Sequence, residues 1–220
     1  MRVGRVLSVS ALLTLTAAHP QAQGGARVYG AATPQDVVST LQKATASRDY
    51  GTAFSLVAPA ARKEFASEAI AGVLMVLAFS NPDSGMPGGK PLPKAELDKK
   101  RKDYRAAVDL ATSTFKPYGL DAVVGKSALS PEEEKRMDAS IAKADTVALL
   151  TSVMNAMDKI GPLLGMKREQ KSSLPFDLGA VSGYKIAGDK ATATSAKETV
   201  NFVRIDGRWY LNPPASKPAK

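Results

Sequence analysis

The 220-residue chain contains no cysteine and a single histidine, His19, close to its amino terminus. The absence of cysteine excludes disulfide bonds, a thiolate nucleophile and cysteine-ligated zinc. Because His19 falls in a segment that we expect to be removed, the mature chain would also lack a histidine base, a Ser-His-Asp triad and histidine-ligated zinc. We therefore expect no metal and no other cofactor.

Long apolar runs are also scarce. After the run at residues 6–18, the only other one covers residues 70–79, which is too short to cross a bilayer and is typical of a buried helix. The composition, 44% hydrophobic and 23% charged, suits one globular domain and excludes collagen-like and low-complexity chains.

Residues 1–22 have the three-part layout of a secretory signal peptide. Arg2 and Arg5 precede the apolar residues 6–18, and a short stretch of small and polar residues follows. We expect cleavage after Ala18 or Ala22 and a periplasmic or extracellular protein, with a retained anchor as the alternative. Removal of the two arginines leaves 28 basic and 21 acidic residues, a net charge of +7.

The remaining chain is predicted to form one α+β domain over residues 33–213. Residues 23–32 are expected to be a flexible amino terminus, residues 214–220 a flexible tail, and residues 66–175 a helical elaboration. Four prolines and three glycines in residues 81–93 predict a loop or hinge, and residues 167–175 a polar linker.

Capping residues and apolar spacing predict the helices. Thr33 before Pro34 is a typical start, as is Ser130 followed by Pro131 and Glu133, which together form a capping box. Helices are predicted to begin at Pro34, after Asp49, at Pro59, at Lys94 and at Pro131, the last apolar face continuing until Gly161-Pro162.

The last forty residues alternate instead, which predicts a four-strand antiparallel meander between residues 181 and 211. Gly188-Asp189 and Asp206-Gly207 are expected to be hairpin turns of the primed type. The expected pairs are Ile205 with Arg208, Arg204 with Trp209, Val203 with Tyr210, Phe202 with Leu211, Ile186 with Ala191, and Tyr184 with Ala193. A middle turn at Lys197-Glu198 would pair Ala193 with Phe202. One face then carries Tyr184, Ile186, Ala191, Ala193, Val200, Phe202, Trp209 and Leu211, and a helical layer must cover it.

Both ends of the chain carry familiar motifs. The opening Thr33-Pro34-Gln35-Asp36-Val37-Val38, the stretch from Ala46 to Phe54 and Ala58-Pro59-Ala60-Ala61-Arg62 resemble the first helices of nuclear transport factor 2-like proteins, which have a cystatin-like fold. The closing Phe202-Val203-Arg204-Ile205-Asp206-Gly207-Arg208-Trp209-Tyr210-Leu211 resembles the final strands of that superfamily, particularly in exported bacterial domains of unknown function. The resemblance implies functions ranging from isomerases and cyclases to ligand carriers and structural modules.

The expected register places the charge of Arg204 on the apolar face, opposite Trp209. If that end of the sheet opens into a pocket, the guanidinium would hold an anionic group of a ligand while its stem packs on the indole. The ligand-binding residues predicted on this basis are Arg204, Trp209, Phe202 and Tyr184. The alternative is an edge arginine whose head reaches water.

Two surfaces are candidates for contacts with larger partners. The basic run Lys99, Lys100, Arg101 and Lys102 would contact an anionic envelope surface, or be a solvated helix face balanced by nearby carboxylates. The outer face of the sheet offers Val203, Ile205 and Tyr210 for a homodimer. A nucleic-acid partner is not expected, because only Tyr104 offers stacking in the basic stretch.

These observations favour an exported, non-enzymatic ligand-binding or interaction module whose ligand is small and either apolar or anionic. One alternative is a small-molecule isomerase or cyclase that uses an aspartate with a tyrosine, which needs no histidine. The other is an envelope scaffold that dimerises through the sheet.

Overall fold

A computed structural model describes residues 29–84, 92–126, 128–166, 178–196 and 198–214 and shows the predicted α+β fold. The helices are α1 (Pro34–Ser47), α2 (Tyr50–Ser55), α3 (Pro59–Ser80), α4 (Lys94–Phe115), α5 (Pro131–Lys143) and α6 (Thr146–Leu163). The strands are β1 (Val181–Ala187), β2 (Lys190–Ser195), β3 (Thr199–Ile205) and β4 (Arg208–Leu211). The expected signal peptide, the centre of the predicted loop at 85–91, and the linker at 167–175 lie outside the described residues.

The predicted caps form at the helix starts. The hydroxyl of Thr33 accepts the amide N–H of Asp36 at the start of α1, and the carboxylate of Asp49 accepts the amide N–H of Thr52 in α2. Ser130 and Glu133 complete the capping box of α5. Each cap satisfies an amide that has no partner within its own helix, which fixes where the helix begins.

The helical apolar face predicted to continue from Pro131 to Gly161-Pro162 belongs to two helices, α5 and α6, which are separated at residues 144–145. The carboxylate of Asp145 accepts the amide N–H groups of Val147 and Ala148, so it caps a new helix, α6. Pro162 does not end α6, which continues to Leu163 with the proline in its last turn.

The four strands form the predicted meander, in the order β1-β2-β3-β4. Asp206 and Gly207 both have positive φ, as a type I′ turn requires, and Gly188 has φ of 61° in the other outer hairpin. The pairs predicted across Asp206-Gly207 are confirmed, among them Arg204 with Trp209. Trp209 and Phe202 therefore share one face of the sheet.

Two details of the predicted register are wrong. The middle hairpin joins Ser195 to Glu198, so Ala193 pairs with Val200 and not with Phe202. The actual register of β2 and β3 differs from the predicted one by two residues. Because side chains along a strand alternate between the two faces, the same side chains still face the helices. The expected pair of Tyr184 with Ala193 is replaced by a β-bulge between Ser182 and Lys185, where Gly183 adopts φ of 66°.

The helices cover most of the predicted apolar face. Six of its eight side chains are buried: Ala191, Ala193, Val200, Phe202, Trp209 and Leu211. Tyr184 is half-buried, and Ile186 is 57% exposed, because it lies on the edge strand β1, beyond the helical layer. In the helical layer, α6 packs against α2, α3 and α4 and contributes fully buried leucines, valine and isoleucine to the core.

The free edge of β4 is covered by two segments from the start of the chain. Ala31 and Trp209 exchange backbone hydrogen bonds of 2.9 and 2.8 Å, and Leu211 bonds in the same way to Leu56 and Ala58. The described part of the predicted flexible amino terminus, from Tyr29 onward, is thereby bonded to the sheet. This arrangement brings Tyr29 close to α2 and to the start of α6.

Candidate functional site

The ligand-binding residues predicted from the sequence lie at the sheet. Trp209 and Phe202 are buried in the core, and Arg204 is exposed opposite Trp209. The rings of Tyr184 and Phe202 have centroids 6.1 Å apart, and burial raises the pKa of the Tyr184 phenol. The two clefts described below are lined by other residues. A ligand at Arg204 therefore stays a prediction.

Part of the basic run on α4 is engaged by carboxylates of the chain. The guanidinium of Arg101 donates to the Asp83 carboxylate at 2.6 Å, and this hydrogen bond raises the pKa of Arg101. Nζ of Lys100 lies 3.8 Å from Oε1 of Glu96. Lys99 and Lys102 are exposed. A cleft of about 560 Å³ follows α4, lined by Asp98, Arg101, Lys102, Arg105, Ala106 and Asp109. Contact with an anionic surface stays a prediction.

The three residues predicted for a homodimer differ in their exposure. Val203 and Ile205 are half-buried on the outer face, whereas Tyr210 is buried. A Cβ built on Gly30 would lie 2.8 Å from the Tyr210 ring, so the amino-terminal segment of the same chain packs against this tyrosine. Dimerisation through this face also stays a prediction.

A second cleft, of about 480 Å³, lies between α2 and the first turns of α6 and is called the α2–α6 cleft here. Its lining combines five hydroxyl groups with one carboxylate and a small apolar floor: Tyr29, Asp49, Gly51, Thr52, Ser55, Val147, Ala148, Thr151 and Ser152. These residues come from three segments that are far apart in the sequence. None of them was predicted as a site residue.

The position of α2 on α6 is fixed by a part-buried hydrogen bond and an ion pair. The Tyr50 hydroxyl donates to the Asp158 carboxylate at 3.0 Å, and Arg48 lies 3.4 Å from the same carboxylate. Because Tyr50 is buried and Asp158 belongs to α6, these contacts join the two helices that form the walls of the α2–α6 cleft. A cleft with fixed walls loses little entropy when a ligand binds.

Most hydroxyl hydrogens in the cleft are used within the chain. Ser55 donates to the carbonyl of Thr52 at 2.7 Å, and Thr151 donates to the carbonyl of Val147 at 2.7 Å. The Tyr29 hydroxyl donates to Asp145 at 3.5 Å. Ser152 shares a hydrogen bond of 3.1 Å with the Tyr118 hydroxyl, in which either group can donate. Each hydroxyl oxygen keeps a lone pair that can accept a hydrogen bond from a ligand.

The carboxylate of the cleft belongs to Asp49. Hydrogen bonds from the hydroxyl and then the amide of Thr52 lower the pKa of Asp49, so this group carries a full negative charge at neutral pH. Gly51 lies between the two walls: a Cβ built there would be 3.6 Å from Oδ1 of Asp49 and 3.7 Å from Oγ1 of Thr151. The absence of a side chain at Gly51 leaves this part of the cleft open.

A buried arginine lies behind Tyr29. Arg62 on α3 is 6% exposed and its guanidinium is 5.1 Å from the centroid of the Tyr29 ring. Its Nε has no hydrogen-bond partner among the residues that the structure describes. Burial lowers the pKa of Arg62, while Tyr210, Tyr29 and Asp145 act in the opposite direction. The arginine thus stabilises the position of Tyr29 through a cation–π contact.

Two residues next to the cleft that were not predicted as site residues, Arg62 and Asp145, could have been found from sequence patterns. Arg62 is four residues before Ala66 and eight before Ile70, so it lies on the buried face of α3. Asp145 before Thr146 is a typical N-cap sequence. The hydroxyl residues of the cleft gave no such signal, because serine and threonine on exposed helix faces are common.

Within the described ranges there is no group of three or more histidine, cysteine, aspartate or glutamate side chains able to hold a metal ion. Over the same part of the chain, none of the helices is both long and apolar enough to span a membrane. Comparisons of the chain with protein-family models, with curated proteins and with solved structures find no match.

Proposed function

We propose that this chain is an exported, non-enzymatic ligand-binding module and that its ligand is a small polar molecule bound in the α2–α6 cleft. The observation that carries the proposal is the cleft itself, whose hydroxyl groups are held in place by hydrogen bonds to the chain. Its volume of about 480 Å³ lies within the range of roughly 300–1,000 Å³ that is usual for small-molecule sites. The layout of residues 1–22 supports export.

Binding suits this cleft better than acid–base catalysis. A general acid or base works best when its pKa is near the working pH, and the Thr52 hydrogen bonds lower the pKa of Asp49 away from neutrality. The aspartate is therefore a permanent charge and a weak base. The isomerase or cyclase alternative would need a carboxyl group whose pKa is raised beside a tyrosine.

A substitution at Gly51 tests the proposal. In Gly51→Leu the new side chain would project between Asp49 and Thr151, where its Cβ is in ordinary van der Waals contact, and its branched end would occupy the part of the cleft beside these two residues. Gly72→Leu is the matched control, because Gly72 is also in a helix and no atom in the described part of the chain lies within 4 Å of its Cβ position. Leucine favours helix more than glycine does, by up to about 1 kcal/mol, so both variants should fold.

The measurement is native mass spectrometry of each variant, purified under mild conditions from the envelope of its own host. We expect a small-molecule adduct on the natural chain and on Gly72→Leu and no adduct on Gly51→Leu. An adduct that persists on Gly51→Leu would place the ligand elsewhere and contradict the proposal. Circular dichroism of the three proteins checks that each is folded.

A further inference from the structure

The α2–α6 cleft offers hydrogen-bond acceptors and few donors. The hydroxyl hydrogens of Ser55 and Thr151 go to carbonyl groups of their own helices, and the amide N–H of Thr52 donates to Asp49 at 3.0 Å. What these groups present to a ligand is oxygen lone pairs. A ligand whose polar atoms are mostly acceptors would leave those oxygens unpaired on binding, which is unfavourable.

The amides at the start of α6 are also occupied. A free helix N-terminus attracts anions, because its amides point outward and carry partial positive charge. In this chain both Val147 and Ala148 donate their amide N–H groups to the Asp145 carboxylate, at 3.0 and 3.2 Å. The amides that would attract an anionic ligand at the start of α6 therefore already donate to a carboxylate of the chain itself.

The charges around the cleft favour a cation. Asp49 lines it and Asp145 accepts from the hydroxyl of Tyr29, whereas Arg62 is the cation that contacts the Tyr29 ring. Of these three groups, Asp49 is the one that lines the cleft, so a ligand bound there meets its negative charge. Arg62 is buried behind the ring, whereas Asp49 is exposed to solvent within the cleft.

From these contacts, and resting on the proposed binding function, we infer that the ligand carries a primary ammonium group, which binds to the Asp49 carboxylate and to the hydroxyl oxygens of Thr52 and Thr151. An ammonium group has three N–H donors and no acceptor, which complements a cleft of oxygen lone pairs. Val147 and Ala148 provide an apolar wall for the hydrocarbon part of the ligand. The class of ligand is thus an aliphatic amine or amino compound.

Three small molecules of equal length test this inference. 1,4-Diaminobutane, 1,4-butanediol and succinate each have four carbons and two polar ends, which are cationic, neutral and anionic respectively. Each is titrated into the ¹⁵N-labelled protein, and chemical-shift changes are followed at the backbone amides of Gly51, Thr52, Ala148 and Thr151. We expect the diamine to shift these amides at the lowest concentration.

Asp49→Asn is the matched variant. Asparagine caps helices about as well as aspartate, so the start of α2 is retained while the charge is lost. We expect the affinity for the diamine to fall by about tenfold, as is usual for a hydrogen bond to a charged group. Asp138→Asn, on the exposed side of α5, is the control and should leave the affinity unchanged.

Tighter binding of butanediol or succinate in the cleft would overturn the ammonium inference and leave the proposed binding function standing. So would an Asp49→Asn variant that binds the diamine as tightly as the natural chain. If none of the three compounds shifts the cleft amides, the ammonium inference fails, whereas the binding function is decided separately by the native mass spectra of Gly51→Leu and Gly72→Leu.

Discussion

The contact of Gly30 with β4 gives a prediction whose size can be worked out from the structure. Gly30 has φ of 73°, and a Cβ at this position would lie 2.8 Å from Cζ of Tyr210 and 2.9 Å from the carbonyl oxygen of Trp209. Gly165 has nearly the same φ, 75°, but no atom of the described residues lies within 4 Å of its Cβ position. Gly30→Ala and Gly165→Ala therefore share the backbone cost and differ in the steric one.

The backbone cost is about 1–2 kcal/mol for alanine in the left-handed region, and both variants incur it. At Gly30 the added methyl can be accommodated only if residues 29–31 move away from β4. That movement breaks the two hydrogen bonds between Ala31 and Trp209 and the one from Gly30 to Ser55. At a net value of about 0.5–1.5 kcal/mol for each bond, Gly30→Ala should lose an additional ~1.5–4.5 kcal/mol of unfolding free energy.

Urea denaturation measures the difference. Trp209 is the single tryptophan of the chain, is 5% exposed and is bonded directly to Ala31, so its fluorescence reports unfolding at this edge of the sheet. We expect a lower midpoint for Gly30→Ala than for Gly165→Ala at an unchanged slope. Equal losses of stability in the two variants would refute the reasoning, because the packing of Gly30 on Tyr210 would then contribute nothing.

Two further predictions concern the sheet and Asp49. Phe202→Ala should lower the free energy of unfolding by about 3–5 kcal/mol, because Phe202 is buried under the helices. Ile186→Ala, on the same face of the sheet but exposed, should lower it by less than ~0.5 kcal/mol. Similar urea midpoints for the two variants would contradict the helical cover of this face. Because the pKa of Asp49 is lowered on folding, its contribution to stability is complete above the ordinary value of 3.8 and is lost as the pH falls through the lower folded-state pKa. Asp49→Asn should therefore flatten the acid side of a plot of urea midpoint against pH, and an unchanged plot would count against the Thr52 hydrogen bonds.

The elements that depend on neighbouring residues were predictable from the sequence. Thr33 and Ser130 fix helix starts through hydrogen bonds that span three residues. Asp206-Gly207 fixes a hairpin because both residues adopt positive φ readily, and the pairing of Arg204 with Trp209 follows from that turn alone.

The middle hairpin shows where local reasoning is insufficient. The segment between Ser195 and Glu198 has no glycine to mark the turn, so two registers that differ by two residues place the same side chains on the apolar face. In the structure the hydroxyl of Ser195 donates to the carbonyl of Glu198 and accepts the amide N–H of the same residue. Alternation of apolar side chains cannot distinguish the two registers, because both place the same side chains toward the helices.

The α2–α6 cleft could not be predicted for a related reason. Tyr29 reaches it because Ala31 pairs with Trp209, and Thr151 reaches it because Asp145 starts a new helix. Neither event is visible in the composition of the cleft residues. The alternation of the strands singles out Arg204, because it is a charged residue on an apolar face, whereas no comparable pattern singles out Arg62 in the alanine-rich sequence of α3.

The most direct test of the proposed ligand site uses the absence of cysteine from the natural chain. Gly51→Cys introduces one thiol into the α2–α6 cleft, and Gly72→Cys introduces one on α3, away from it. The rate at which a maleimide modifies each thiol is measured with and without the small-molecule fraction of the host envelope. Slower modification of Gly51→Cys alone is the predicted result, and equal rates with and without that fraction at Gly51→Cys would contradict a ligand in this cleft.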